Sequence, residues 1–362
     1  MGTGIQASEM ATDPAHAQNV PRRGSADSEP AEAMPVPIAS QSISLPPARR
    51  SLRSALFNHD NDYGTDPTAT ALRLPPLSVS CVVPYYETGA LAIECAARLA
   101  HGLGRYRRAH PHAPRTQLVV VDDGSVANPF PLSMIPELQL IRLPQNRGRS
   151  VARNVGLGAS TGFDVTLFVD SDVLVPEDLV LRTVELWDAG GADLRPRPAV
   201  VAGLFSTLRT DPDADLDRVL TDASVHTDWR WACRFQPSWV LTASDWIYAG
   251  RRFRLVADTG FFRRWSGMQG PWCLPNMVLG GCFAVPTAAA QDLGGFAESF
   301  AAYGFTETSL VARLVASGIP VIPQVKSAAV HVEANPAHHH QTDRNRLLAV
   351  AHRKFFTELL AP

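Results

Sequence analysis

The chain has 362 residues, 45% of them apolar, and a formal net charge of −2 at neutral pH. This length and composition are typical of a globular protein with one large domain or two. The near-neutral charge excludes bulk nucleic-acid binding and a polybasic membrane anchor, and no stretch reaches the roughly 18 apolar residues of a membrane span.

The first 76 residues are rich in Ala, Pro and Ser and show no sustained hydrophobic periodicity. This composition predicts a disordered leader over residues 1–76. The start of the chain lacks the basic-then-apolar pattern of a signal peptide. The five cysteines are scattered without metal-type spacing, and Cys81 lies in an apolar run. Reduced thiols and a cytoplasmic location are therefore expected.

Short β-branched runs alternate with helical segments from residue 77 onward. Strands are predicted at 77–83, 117–121, 138–143, 165–169 and 199–202. Helices are predicted at 90–102 and 148–159, and a further helix is predicted to open at Pro176. This alternation predicts an α/β fold: a mainly parallel central sheet with helices on both faces, whose ligands bind at the carboxyl ends of the strands.

Acidic and aromatic residues follow three of these strands at the point where each ends. Tyr86 and Glu87 follow the first strand, Asp122 and Asp123 the second, and Asp170-Ser171-Asp172 the fourth. Two carboxylates one residue apart repel each other unless a cation lies near them, and Mg²⁺ or Mn²⁺ suits carboxylate and phosphate oxygens. We therefore expect one edge of the sheet to bind a nucleotide diphosphate, with its cation held by Asp172.

Two nucleotide-binding signatures are missing from the sequence. No G-x-G-x-x-G follows the first strand, which disfavours a dinucleotide-binding domain, and no G-x-x-x-x-G-K-[ST] occurs, which excludes a P-loop. A phosphoryl-transfer enzyme of the haloacid-dehalogenase kind is an alternative, because its D-x-D also ends a strand. Against it, Leu174 stands where that motif has Thr or Val, and no clear acidic metal pair lies downstream.

Together, these motifs resemble the family 2 glycosyltransferases of the GT-A fold. The matching elements, in the family's order, are V-V-P-x-Y at 82–86, V-D-D-G-S at 121–125, N-x-G-x-[AS]-x-A-R-N at 146–154, F-V-D-x-D at 168–172, G-G-F-x-E at 294–298 and Y-G-x-x-[DE] at 303–307. The resemblance covers residues 77–335. It implies a nucleotide-sugar-binding half at 77–202 and an acceptor-binding, catalytic half at 203–335.

The resemblance implies that the strand ends bind a nucleotide-sugar donor, for which we expect a UDP-sugar. The residues expected to contact the donor are Pro84, Tyr86, Glu87, Asp122, Asp123, Arg149, Arg153, Asp170, Ser171, Gly280 and Gly281. Tyr86 would stack on the base. Arg149 and Arg153 would brace the nucleotide, or else form a solvated helix face.

The resemblance also implies a divalent metal cofactor, Mn²⁺ or Mg²⁺, ligated by Asp172 and His331. The alternative for His331 is an ordinary hydrogen bond at a strand end. Inverting transfer needs a base for the acceptor proton, and Glu307 stands in the place of the family's base at the start of a predicted amphipathic helix. Thr306 and Ser309 replace two further acids of the family motif, so a nucleotide-sugar binder without catalysis is a second alternative.

The remaining segments carry weaker signals. Residues 203–275 form a Trp- and Arg-rich insert, whose aromatic side chains either bind a ligand or form a small core of their own. Residues 336–362 are predicted as a loop and an amphipathic helix at 342–360, which would cover the sheet or mediate oligomerisation. The acceptor stays open among a peptide, a lipid carrier and a small molecule.

Overall fold

The structure is a computed structural model. It describes residues 76–110, 112, 114–131, 135–188, 198–209, 247–248, 251–252, 278–300, 304–319, 321–333 and 341–355. The predicted leader and most of the Trp- and Arg-rich insert lie outside these residues. No helix in the described ranges is long and apolar enough to cross a membrane.

The described residues form ten strands and six α-helices. The strands are β1 Val79–Tyr85, β2 Thr116–Asp122, β3 Leu138–Arg142, β4 Val165–Val169, β5 Val173–Leu174, β6 Val200–Arg209, β7 Ile247–Tyr248, β8 Arg251–Arg252, β9 Cys282–Pro286 and β10 Val321–Glu333. The helices are α1 Ala90–Arg108, α2 Arg149–Ala159, α3 Leu179–Asp188, α4 Thr287–Asp292, α5 Thr306–Ala316 and α6 Gln341–Lys354.

Eight of the strands form one sheet in the order β3-β2-β1-β4-β9-β6-β10-β5. β1 runs parallel to both β2 and β4, and β2 runs parallel to β3. β9 is antiparallel to β4 and to β6, whereas β6 and β10 are parallel. The half that carries the predicted nucleotide site is therefore wholly parallel, and the sheet becomes mixed from β9 onward.

Side chains of β1 alternate between two buried cores. Val82 packs with Ala152 and Leu157 of α2 on one face of the sheet. Cys81 packs with Leu99 of α1 on the other face. Because apolar residues point to both faces, helices must cover both to remove them from water. The predicted α/β architecture is confirmed.

Three predicted boundaries differ by three residues or more from those in the structure. α1 continues through Gly102 to Arg108 because this glycine packs against the turn before α3: a Cβ there would lie 3.3 Å from the Glu177 carbonyl oxygen. α3 begins at Leu179, since Pro176 precedes that turn. The strand predicted at 199–202 extends to Arg209, because it pairs with β10 along its length.

The C-terminal helix α6 overlaps the predicted 342–360 helix, beginning one residue earlier, and packs on the core. Phe355, directly after α6, is fully buried, and its ring centroid lies 5.3 Å from that of Phe305. Leu348 and Val350 are exposed. Oligomerisation through this helix stays a prediction.

Gly156 and Gly158 lie in the same helix, α2, but have different surroundings. A Cβ at Gly156 would lie 2.2 Å from Cγ1 of Val82, whereas a Cβ at Gly158 would meet nothing within 4 Å. We expect Gly156→Ala to lower the free energy of unfolding by about 1–3 kcal/mol through overpacking. Gly158→Ala should raise it by roughly 0.5–1 kcal/mol through helix propensity. Urea unfolding measures both, and effects of the same sign would contradict the packing of α2 on β1.

Candidate active site

Three strand ends meet at one edge of the sheet, as the sequence predicts. The β1–β2 register runs from Val79–Thr116 to Tyr85–Asp122, and β1 pairs with β4 from Val79–Val165 to Val82–Phe168. Neighbouring parallel strands end on the same side, so the residues that follow them are brought together. The backbone N–H of Asp123 donates to the carbonyl of Tyr85 at 2.8 Å, which joins two of these ends directly.

Asp122 organises the loop that follows β2. It is fully buried, and its carboxylate accepts hydrogen bonds from the backbone N–H of Ser125 at 2.9 Å and of Phe130 at 3.1 Å. The Nε of Arg142 donates to the same carboxylate at 3.1 Å. Three donors therefore occupy this side chain, and its main role in the structure is to hold the loop.

Asp123 connects the end of β2 to the start of α2. Its carboxylate accepts the backbone N–H groups of Arg147 and Gly148, each at 2.8 Å. Burial raises the pKa of Asp123, and these two hydrogen bonds offset the increase only in part. Asp123 thus holds the segment that leads into α2, while its own backbone is bonded to the end of β1.

The two residues after β1 have different surroundings: Tyr86 faces solvent, and Glu87 contacts the loop that follows β2. Pro84 pairs within the sheet, and the Tyr86 side chain is 50% exposed, so its ring is accessible to a planar ligand. Glu87 accepts backbone N–H bonds from residues 126–128 at 2.6, 3.0 and 2.6 Å. These hydrogen bonds, that of Val126 above all, lower the pKa of Glu87. Its carboxylate therefore braces the loop.

Arg153 of α2 lies fully buried at the centre of this edge. Its Nη2 donates to Oδ1 of Asp170 at 2.7 Å and to the carbonyl oxygen of Gly280 at 2.9 Å. Its Nη1 donates to Oε2 of Glu307 at 3.2 Å and to Oγ1 of Thr306 at 3.3 Å. The guanidinium thus links the first acid of the D-x-D motif to the predicted base.

The two arginines expected on the nucleotide side differ in exposure. The Arg149 side chain is 51% exposed, and its Nη1 lies 3.7 Å from Oδ2 of Asp170. Arg153 does not lie on a solvated helix face, since its side chain has no exposed surface. Burial raises the pKa of Asp170, but the charges of both arginines and the hydrogen bond from Arg153 lower it more, so the net pKa lies below its usual value.

The two predicted metal ligands are neighbours in the structure. Nε2 of His331 lies 3.2 Å from Oδ2 of Asp172, whose side chain is 39% exposed. The backbone carbonyl of Asp172 accepts the N–H of Val332 at 2.9 Å, which fixes the D-x-D turn against β10. Ser171 stands between Asp170 and Asp172 in the sequence, and its hydroxyl lies 2.7 Å from the Thr88 hydroxyl. In the described part of the chain, no group of three or more His, Cys, Asp or Glu side chains is spaced to hold a metal ion.

Comparison with known proteins bears on the haloacid-dehalogenase alternative. Residues 80–195, which carry the strand ends, match the family model described as Glycosyl transferase family 2. These residues form a family 2 glycosyltransferase domain. The predicted family is confirmed over residues 80–195, and the match argues against the haloacid-dehalogenase alternative. The predicted extension of the resemblance over 203–335 lies beyond the matched span and stays a prediction.

One curated relative and several solved structures are similar to the chain. Succinoglycan biosynthesis protein ExoO of Rhizobium meliloti (strain 1021) is 38% identical over 107 residues, which are 28% of this chain and 30% of that protein. The mannosyltransferase PcManGT from Pyrobaculum calidifontis, in complex with GDP-Man and Mn²⁺, has a TM-score of 0.44 and 20% identity over 80% of this chain and 65% of its own. S. aureus TarS 1–349 in complex with UDP-GlcNAc has a TM-score of 0.40 and 14% identity over 75% and 64%.

The paired glycines bring backbone close to the acids of the candidate site. A Cβ at Gly280 would lie 2.6 Å from Nη2 of Arg153 and 3.1 Å from Oε1 of Glu307. The carbonyl of Gly281 accepts the N–H of Asp170 at 3.0 Å. A side chain at Gly280 would displace the hydrogen-bonded groups, so only glycine fits this approach.

Sequence reasoning missed three polar residues that border the candidate site. They are Thr88 beside Ser171, Arg142 on Asp122, and Thr306, whose hydroxyl donates to Oε2 of Glu307. Thr306 could have been found as a neighbour of the predicted base, but the partners of Thr88 and Arg142 are distant in sequence. Tyr303 and the histidines at 338–340 lie outside the described residues.

The His331–Asp172 pair predicts a measurable pH dependence in the metal-free protein. Burial lowers the pKa of His331, but the hydrogen bond and charge of Asp172, with the charges of Asp170 and Glu333, raise it more, and the net pKa lies above its usual value. The pair therefore stabilises the fold below the unfolded-state pKa of about 6.5, and this contribution is lost as pH rises through the higher folded pKa. NMR titration should find the raised pKa in the wild type and a lower one in Asp172→Asn. Equal values in both would contradict the pairing.

Proposed function

We propose that this protein transfers a sugar from a nucleotide-sugar donor, with UDP-sugars as the first candidates, to an acceptor hydroxyl. The observation that supports this most is the convergence of Asp170, Asp172 and Glu307 at one edge of the sheet, with Arg153 joining the first and last of them. Both aspartates lie within residues 80–195, which match the Glycosyl transferase family 2 model. The predicted nucleotide-binding residues of β1 and β2 border the same edge. Tyr86 would stack on the base, since its ring is half exposed there.

We propose a divalent cation, Mn²⁺ or Mg²⁺, as cofactor, held by Asp172 with His331. A partly exposed carboxylate beside an imidazole suits an ion that takes its other ligands from phosphate oxygens and water. When bound, the cation would neutralise the negative charge that develops on the diphosphate as the sugar leaves. Asp170 lies beside the guanidinium groups of Arg153 and Arg149. Its role would be to orient these two side chains and the D-x-D turn, and the metal would be left to Asp172.

Glu307 is proposed as the base of an inverting transfer. Its side chain is 15% exposed and lies in the first turn of α5, and its carboxylate accepts a hydrogen bond from Arg153. The acceptor oxygen would form its bond to the anomeric carbon as the bond to the diphosphate breaks on the opposite side. The acceptor proton would pass to the Glu307 carboxylate, and the sugar would invert.

A screen of UDP-, GDP- and TDP-sugars by thermal unfolding, with Mn²⁺ or with a chelator, tests the donor and the cation together. A ligand that binds only the folded state stabilises it by about 2.7 kcal/mol at a hundred times its Kd. We expect one donor to raise the unfolding temperature with Mn²⁺ and to have little effect with chelator. No stabilisation by any donor, or full stabilisation without metal, would contradict the proposal.

A second candidate is a nucleotide-sugar-binding protein without catalysis. The observation that favours it is the presence of Thr306 and Ser309 at positions where the family motif has acids. Such a binder would respond in the thermal screen and release no nucleoside diphosphate. The acceptor stays open among a peptide, a lipid carrier and a small molecule. The cytoplasmic location stays a prediction, compatible with the buried, reduced thiols of Cys81, Cys95 and Cys282.

A further inference from the structure

Building on the proposed function, we infer that Arg153 is a positioning residue for Glu307. One guanidinium holds the carboxylate that receives the acceptor proton and, on its other side, the first carboxylate of the D-x-D motif. The orientation of Glu307 therefore depends on a side chain that is itself fully buried.

The terminal hydrogen-bonding capacity of Arg153 is fully used. A guanidinium has five N–H donors in a fixed planar fork, and four of them belong to the two terminal nitrogens. Those nitrogens make four hydrogen bonds, to Asp170, Gly280, Thr306 and Glu307, between 2.7 and 3.3 Å. Four acceptors in fixed directions leave the guanidinium one orientation, and Glu307 is oriented with it.

Aromatic rings enclose the guanidinium on its remaining sides. The Cζ atom of Arg153 lies 5.7 Å from the ring centroid of Phe283 and 5.6 Å from that of Phe296, and both rings are fully buried. Cation–π attraction and the absence of water hold the charge in place. The hydrogen bonds from Arg153 therefore act in a medium where they are strong.

The two carboxylates depend on Arg153 to different degrees. Asp170 also lies 3.7 Å from Nη1 of Arg149, so it keeps a cationic neighbour if Arg153 is removed. Glu307 accepts hydrogen bonds from Arg153 and Thr306 in the described part of the chain, and would keep only the Thr306 hydroxyl. Removal of Arg153 should therefore affect the step that needs Glu307 more than it affects donor binding.

The test compares the steady-state kinetics of Arg153→Gln with those of the wild type and of Arg313→Gln. Arg313 is a matched control, because it is also a buried helix arginine, and its guanidinium donates to the backbone carbonyls of Leu293 and Gly295. We expect Arg153→Gln to lower kcat by about 10²-fold, the usual effect of a catalytic group displaced by about 1 Å, with less than about tenfold change in donor KM. Arg313→Gln should lower the unfolding temperature and leave kcat unchanged.

Three further variants separate the positioning role of Arg153 from the effect of its charge and from its contribution to folding. Arg153→Lys keeps the positive charge but loses the planar, forked set of N–H donors. Its kcat should therefore be close to that of Arg153→Gln. In a Glu307→Gln background, Arg153→Gln should cause little further loss, because residues that act as a unit are not additive. If Arg153→Gln does not fold, Thr306→Val removes one member of the network and should lower kcat by about fivefold, as for one lost hydrogen bond.

The outcomes distinguish this inference from the proposed function. A wild type that turns over a donor, with Arg153→Gln matching it in kcat or with Arg153→Lys restoring full kcat, would overturn the positioning role and leave the function standing. Full additivity of Arg153→Gln and Glu307→Gln would do the same. A wild type that binds and turns over no nucleotide sugar would overturn both.

Discussion

Glu307→Gln should lower kcat by about 10²–10⁴-fold, the range that a general base contributes. The amide keeps the size of the side chain and can still accept hydrogen bonds from Arg153 and Thr306, so the fold and the donor site should survive. What it loses is the ability to take the acceptor proton. Release of nucleoside diphosphate with saturating donor and acceptor measures the effect, and the metal-dependent thermal shift measures donor binding.

Glu177→Gln provides the control for this variant. Glu177 lies in the turn before α3, near His101 and Arg105, and its exposed side chain should tolerate the change without effect on kcat. If Glu307→Gln keeps wild-type turnover, Glu307 is not the base. If neither the wild type nor the variant turns over while both bind donor, the binding-protein alternative holds.

Asp172→Asn should weaken metal-dependent donor binding by at least about 10²-fold, since loss of outer-shell partners alone costs 10–100-fold in metal affinity. An amide is a poorer ligand than a carboxylate for Mn²⁺ or Mg²⁺, and the exposed position of Asp172 lets the fold accept it. Calorimetric titration of donor with and without Mn²⁺ measures the loss. Asp292→Asn, at an exposed position ending α4, should bind donor as the wild type does. Unchanged Mn²⁺-dependent affinity in Asp172→Asn would remove Asp172 from the metal site.

The parallel half of the fold could be predicted because its strands are continuous β-branched runs between turn residues. The antiparallel placement of β9 between β4 and β6 could not, because Cys282–Pro286 gives an apolar run with no mark of direction. Gly102 reads as a helix end in the sequence, and only the nearby Glu177 backbone shows that it is a contact point inside α1.

In the candidate site, features set by neighbouring residues in the chain could be predicted, and contacts between residues far apart in the chain could not. The acids could be placed together because each directly follows a strand of a parallel sheet. The burial of Arg153 could not be predicted, because Gly280, Thr306 and Glu307 join it from far along the chain. Asp122 was expected to contact the donor, but Asp-Asp-Gly-Ser is also a turn sequence, and the hydrogen bonds from residues 125 and 130 show Asp122 holding that turn.

Pulsed electron paramagnetic resonance of Mn²⁺ bound to the protein, labelled with ¹³C-aspartate and loaded with donor, tests the central claim most directly. If the cation bridges Asp172 and the donor diphosphate, one Mn²⁺ ion will show hyperfine coupling both to ³¹P of the donor and to ¹³C of an aspartate, and Asp172→Asn will abolish the ¹³C coupling. Coupling to ³¹P without any ¹³C coupling, or ¹³C coupling that persists in the variant, would contradict the account.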